Sequence, residues 1–420
     1  MDRADRSSGF WHRRLATHVP LLSHSHTPCP PGLPTRHCPA AASAGRCSTR
    51  RSLLYASVGT GILVFTRDRE TGALCRAHAL DSDAPAGSMA VDPDCRFLYA
   101  ALGGPSGGNL PGAVGGPAVS SFRLGAGGEL QPLGTHALAD GSQFISTDHT
   151  GRYLFSSHFS RWDGEPGGGV ALHRINADGV VDHTVCRHRT AFGAHSIWAE
   201  PSTNAAVFSP ATGPAAGEEL SNGIFQFQFD ARAGTLLSHP SQPRVAGHEG
   251  QGPRHLCWGT APAAPPMAYS SDEQGCSVTA YTFDAAGGTL AAVQTVSTVE
   301  DSATTPHEGW SCSQIRIHPR GSCLFAPTRG HDTIASFRID SATGLLSASG
   351  RVAAPVSPRG VNIAPDGRFL YAAGNQTASL VCYAIDEEAG GALEKVHEYT
   401  LDDWKSSSWV LPIDLPGPEG

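Results

Sequence analysis

Five side chains in this sequence could do chemistry as a group. His195, Arg254, Glu273, Arg329 and Arg359 are far apart along the chain, yet each stands at a fixed offset from a short apolar element that the sequence repeats. A guanidinium grips carboxylate or phosphate through paired hydrogen bonds. A histidine or a glutamate can take a proton as a general base. An arginine beside such a base would also stabilise the oxyanion formed when water attacks an ester carbonyl. One His and one Glu are too few to hold a metal ion, so the chemistry suggested is metal-free acid–base work on a small anionic substrate. No metal and no cofactor is expected. Gln143 and His158 are added as candidate substrate-binding residues.

The elements that must position these residues are legible as an internal repeat. An apolar run ending in small residues occurs as Leu54-Tyr55-Ala56-Ser57, Leu98-Tyr99-Ala100-Ala101, Leu154-Phe155-Ser156-Ser157 and Ala206-Val207-Phe208-Ser209. It returns as Ala268-Tyr269-Ser270-Ser271, Leu324-Phe325-Ala326-Pro327 and Leu370-Tyr371-Ala372-Ala373, making seven copies spaced about 44 to 62 residues apart. Turn clusters such as Asp92-Pro93-Asp94 and Pro365-Asp366-Gly367 precede several copies, which makes each a hairpin. An alternating strand, an acidic Gly-containing turn and a further strand follow, as in Ile334–Asp340 before Thr343-Gly344. Four strands per unit and seven units predict an all-β fold, a single seven-bladed β-propeller over residues 52–415. The first unit lacks an upstream inner strand. Trp409–Ile413 can supply it, so that N- and C-terminal strands close the ring within one blade.

In a propeller the innermost strand of each blade lines the central channel. Five residues before the hairpin turns stand Gly87, Gln143, His195, Arg254, Ser313 and Arg359, which should form one ring at a channel mouth. Five residues after the start of each apolar element stand Gly59, Gly103, Phe159, Ala211, Glu273, Arg329 and Asn375, a second ring at the same end. The polar members fall on blades 4 to 7. Each taken alone could simply bond loop backbone; three Arg, one His and one Glu converging in a channel would be costly without a ligand.

Composition narrows the classes further. Of 420 residues, 40% are apolar and 16% charged, too little charge for a coiled coil or a disordered polyelectrolyte. No run of 18 apolar residues occurs, so no transmembrane helix and no membrane partner is expected. The body after residue 51 carries a net charge of about -14, a poor match for nucleic acid. Eleven Cys without a C-x-x-C pair read as buried small hydrophobes in a reducing compartment rather than a disulfide framework. Residues 1–51 are Arg- and Ser-rich with two acids, a disordered leader or a transit peptide; location is then cytoplasmic, or a plastid or mitochondrion. His24, His26, Cys29, His37 and Cys38 there have nothing to fix a metal geometry. Gly104-Pro105-Ser106-Gly107-Gly108 matches a nucleophile-elbow pattern, but in a Gly/Pro loop without the required strand and helix. Residues 416–420 read as a tail, and nothing indicates an oligomeric state.

Four stretches carry a family resemblance. They are Ser146-Thr147-Asp148-His149 with Gly151, Ala194-His195-Ser196, Gly252-Pro253-Arg254-His255, and Ser357-Pro358-Arg359-Gly360-Val361-Asn362 through Tyr371-Ala372-Ala373-Gly374. With them the chain resembles the lactonase-type seven-bladed β-propellers, which include bacterial-type 6-phosphogluconolactonase and the fungal carboxy-cis,cis-muconate cyclising enzyme. The resemblance implies a site of a His, two Arg and a Glu, here His195, Arg254, Glu273 and Arg329. It also implies a hydrolase acting on a small anionic lactone, foremost 6-phospho-D-glucono-1,5-lactone opened to 6-phosphogluconate in the pentose phosphate pathway. Two alternatives stand beside it: a cycloisomerase of muconate-type lactones, and a non-catalytic propeller scaffold. Trp-Asp repeats would favour the scaffold, and the body holds only Trp162-Asp163. The Gly-rich insertion 103–117 and the long loop 211–222 set this chain apart near the expected pocket, and 301–313 is a longer loop as well.

Overall fold

Each apolar element is the second strand of a four-stranded antiparallel sheet, and its composition follows from what covers it. In the first sheet Leu53 and Tyr55 pack toward the second sheet, while Leu54 and Ala56 pack toward the seventh. A strand buried on both faces reads as a continuous apolar run rather than an alternation. Fully burying one such large side chain contributes roughly 1.5–3 kcal/mol.

A computed structural model of the chain describes residues 51–59, 61–81, 86–103, 116–213, 222–259, 265–300, 309–401 and 407–416. The leader up to residue 50 with its His and Cys, the Gly104–Gly108 motif, most of the three long loops and residues 417–420 lie outside the described residues.

Seven sheets follow one another along the chain as blades. From the inside outward, blade 1 is Ser407–Leu415, Arg51–Val58, Gly61–Arg67 and Leu74–Asp81. Blade 2 is Ala86–Val91, Phe97–Leu102, Ala118–Leu124 and Leu130–Ala137. Blade 3 is Phe144–Thr147, Tyr153–His158, Gly168–Ile175 and Val181–Thr190. Blade 4 runs Trp198–Ala199, Ala206–Ala211 and Gly223–Asp230 to an outer strand split into Thr235–Ser238 and Arg244–Ala246. Blade 5 is Pro253–Trp258, Met267–Asp272, Ser277–Asp284 and Thr289–Ser297. Blade 6 has a split inner strand, Ser311–Cys312 and Arg316–Ile317, then Cys323–Arg329, Thr333–Ile339 and Leu346–Ala353. Blade 7 is Pro358–Ile363, Phe369–Gly374, Ser379–Asp386 and Ala392–Thr400. No helix occurs among the described residues, so none there is long and apolar enough to cross a membrane.

The expected closure is present, with Leu53 opposite Ile413, Tyr55 opposite Leu411 and Ser57 opposite Trp409. A buried Arg67 clasps it, with Nη1 2.9 Å from Asp366 of the seventh blade and Nη2 3.2 Å from Asp414 of the closing strand. Tyrosines of the second strands tie blades together. Tyr55, Tyr269 and Tyr371 donate their hydroxyls to Gly128, Gly344 and Gly72 carbonyls, at 2.9, 2.7 and 2.8 Å, each on the next blade's outer turn. The buried acids of the inner hairpins serve the backbone. Asp92 Oδ1 accepts from the Arg96 and Phe97 amides at 2.6 and 2.7 Å, and Asp148 Oδ1 does the same for Arg152 and Tyr153.

The described cysteines are all free thiols. Cys75 departs from the expected burial, because it lies on the outermost strand of its blade, which faces solvent.

Candidate active site

The first ring owes its geometry to bulges at the start of inner strands. In blade 5 the register passes from Pro253 opposite Asp272 to His255 opposite Ser271, which leaves Arg254 as the extra residue. Blade 7 repeats the device: Pro358 faces Gly374, Gly360 faces Ala373, and Arg359 is left over. A bulge unpairs one residue and re-aims its side chain. Proline suits the position before it, since the first residue of a strand can do without a ladder N–H. Serines then pin the backbone from the adjoining blade. Ser196 Oγ donates to the Arg254 carbonyl at 3.1 Å, and Ser313 Oγ to the Pro358 carbonyl at 2.5 Å. Ser313, at the ring position of blade 6, therefore holds its neighbour's backbone.

The second ring converges on the first in blades 5 and 6. Glu273 directly follows Met267–Asp272, and Arg329 ends Cys323–Arg329. Glu273 Oε2 lies 3.3 Å from Arg254 Nε, and Glu273 Oε1 accepts a hydrogen bond from Arg329 Nη2. Arg329 Nη2 also donates to the Cys312 carbonyl at 3.2 Å. Burial works against the Glu273 charge, but Arg254 and Arg329 outweigh it and hold the carboxyl below its usual range. Arg254 is 1% exposed, and its Nη1 has no hydrogen-bond partner among the described residues. Arg359 faces the same space; burial and then Arg329 push it down to about 10, which still leaves it charged at neutral pH. Three guanidinium groups thus confront one carboxylate.

His195 lies between this cluster and blade 3. Its Nε2 is 3.2 Å from Gln143 Nε2, and its Nδ1 is 3.2 Å from His255 Nε2. With the Gln143 amide as donor, His195 carries its proton on Nδ1 and donates it to His255. Burial, then Arg254, holds both imidazoles well below the ordinary histidine value, so both are neutral. Phe159, the second-ring residue of blade 3, packs its ring edge against His195 with centroids 5.5 Å apart. Gln143, His195, Arg254, His255 and Arg359 border a gap of about 20 Å3, room for one water.

The structure therefore brings Gln143, His195, Arg254, Glu273, Arg329 and Arg359 to one end of the channel. It does not bring His158 there. That side chain is 2% exposed inside blade 3, with Nε2 2.9 Å from Ser156 Oγ and Nδ1 3.1 Å from the Asp140 carbonyl. His158 precedes the ring residue Phe159 by one position, and one step along a strand reverses the face. Five residues bordering this gap were not anticipated from the sequence: Ser88, His255, Gln314, Ser408 and Trp409. Strict alternation hides His255 behind Arg254, and only the bulge admits both. Trp409 could have been found from the closing strand, which must line the channel. Among the described residues no group of three His, Cys, Asp or Glu side chains could hold a metal ion.

Arginines and neutral histidines thus cluster at one mouth of a seven-bladed ring. The chain belongs to the family described as Lactonase, 7-bladed beta-propeller, whose model matches residues 47–410. Among curated relatives, the 6-phosphogluconolactonase of Pectobacterium atrosepticum is 28% identical over 327 residues, covering 78% of this chain and 88% of the relative. That of Pectobacterium carotovorum is 29% identical over 296 residues, covering 70% and 82%. Among solved structures, the periplasmic gluconolactonase of Pseudomonas aeruginosa superposes with a TM-score of 0.73 at 23% identity, over 87% of this chain and all of that one.

Proposed function

We propose that this protein hydrolyses a phosphorylated sugar lactone, 6-phospho-D-glucono-1,5-lactone, to 6-phosphogluconate. The observation that carries the reading is the three-to-one excess of guanidinium over carboxylate beside a neutral, hydrogen-bonded imidazole. The names of the curated relatives support the choice of lactone.

His195 Nε2 is the base. A water entering the gap beside Gln143 displaces the amide contact, gives a proton to Nε2 and adds its oxygen to the lactone carbonyl. His255 accepts the Nδ1–H and keeps the ring oriented, as a third group does in hydrolytic triads. The carbonyl oxygen becomes an oxyanion opposite Arg254, whose Nη1 has no acceptor among the described residues. The ring C–O bond then breaks, and the leaving oxygen recovers the proton from His195. Arg359 and Arg329 bind the phosphate. Glu273, tied to two arginines and held ionised, fixes Arg254 and Arg329.

The test is hydrolysis of the lactone generated in situ, with spontaneous opening subtracted. Arg254→Ala should lower kcat by roughly 10²–10³, the usual effect of losing one oxyanion donor. Arg359→Ala should act mainly on KM, since it removes binding shared by ground and transition states. Turnover of folded Arg254→Ala at the wild-type rate would remove that residue from the mechanism.

A further inference from the structure

The channel is divided. Phe144 packs edge-on against His255 and Trp409, with ring centroids 5.2 and 5.4 Å away. On the side of this aromatic partition away from Arg254 and Arg359 lies a cavity of about 360 Å3, bordered by residues of all seven inner strands. That volume is in the range of small-molecule sites. The reaction proposed above uses none of it.

Its walls are mostly apolar, with Met89, Val91, Trp198, Trp258 and Leu411 among the lining residues. One cation faces into it, Arg316. Arg316 Nε donates to Asn362 Oδ1 at 3.0 Å, Nη1 to the Ile315 carbonyl at 3.0 Å and Nη2 to Gln314 Oε1 at 3.4 Å. A guanidinium has five N–H groups, so two are left without an acceptor among the described residues. No carboxylate lies within salt-bridge distance of it among the described residues, and burial pushes its pKa to about 10, which leaves it charged at neutral pH. The indoles of Trp198, Trp258 and Trp409 line the same cavity with their rings, their N–H groups being closed off from it. The spare N–H groups of Arg316 are thus a donor surplus in a mostly apolar chamber, and such surpluses are uncommon in folded proteins.

We propose that this second chamber binds a small monocarboxylate with a flat apolar body, its carboxylate on Arg316 and its ring among the tryptophans. One guanidinium with two spare N–H groups matches one carboxylate held through both oxygens. Asn362 fixes the Arg316 orientation from the Nε side, and its own Nδ2 donates to the Val410 carbonyl at 3.2 Å. The flat apolar walls favour an aromatic acid over a sugar acid, which separates this ligand from the lactone at the other end.

The probe is 2-naphthoate, titrated calorimetrically into the full chain, with neutral 2-naphthamide of the same shape as the control. One site with Kd below about 1 mM is expected, and about tenfold or more weaker binding of the amide, the cost of losing a charge-assisted pair. Arg316→Gln should lose the acid by a similar factor, while Arg359→Gln should bind it as wild type does. No saturable binding, equal binding of acid and amide, or loss of binding in Arg359→Gln would each overturn the proposal. Should Arg316→Gln fail to fold by circular dichroism, the acid-to-amide ratio on the wild-type protein still decides.

Discussion

His195 and His255 touch each other beside Arg254, Arg329 and Arg359, and any proton added to either ring would meet that charge without bulk water to screen it. A base with a depressed pKa stays in its active, neutral form as the pH falls. For the free enzyme, kcat/KM corrected for spontaneous opening should therefore stay level from about pH 8 through the ordinary histidine value of 6.5, and decline only below it. An acid limb centred near 6.5 would mean that a solvated group, not His195, is the titrating base. The same residues show what a sequence can reveal at this scale. His195, Arg254, Glu273, Arg329 and Arg359 were legible because a repeated element carries each to an equivalent place in a different blade. His158 and His255 were not, for opposite reasons. His158 lies one residue from a ring position and so turns into its own blade. His255 lies one residue from a ring position and yet shares the channel, because a bulge beside Arg254 cancels the alternation.

Strand pairs and turns explain why the repeat was so readable. The acidic Gly-containing turn is built the same way in blades 1 and 6. Asp68 and Asp340 each accept two backbone amides and a threonine hydroxyl through Oδ1, at 2.8 to 3.1 Å. The glycine that follows has φ +73° at both Gly72 and Gly344, and its carbonyl takes the tyrosine hydroxyl of the preceding blade. A Cβ on Gly344 would stand 2.6 Å from Met267 Cγ. Gly344→Ala should cost roughly 1–3 kcal/mol, from the left-handed backbone and the displaced methionine together. Denaturant unfolding checks this; an unchanged midpoint would show that the blade 5–6 seam absorbs a methyl group freely. The split inner strand of blade 6 and the split outer strand of blade 4 were not legible, because spacing alone does not register where a ladder is interrupted.

At the scale of the whole ring, one seam differs from the rest. Six blades are each made from one continuous stretch of chain, whereas blade 1 borrows Ser407–Leu415. That strand supplies Trp409 to the channel, Asp414 to Arg67 and the inner edge partner of Arg51–Val58. Deleting residues 407–420 should abolish cooperative unfolding and leave an aggregating product, measured by thermal circular dichroism and size-exclusion chromatography. A soluble, cooperatively folding deletion product would show that six and a half blades suffice. The separation has a further consequence, in time rather than space. Ser57 and Ser407, joined by a hydrogen bond in the closed ring, lie 350 residues apart. At ribosomal speeds of about 5–20 residues per second, blade 1 waits roughly 20–70 s for its inner strand. Throughout that interval the edge bearing Leu53, Leu54, Tyr55 and Ala56 is an unpaired, apolar template on the nascent chain. Chaperone capture during synthesis should accordingly concentrate on this N-terminal strand and end when Ser407–Leu415 emerges.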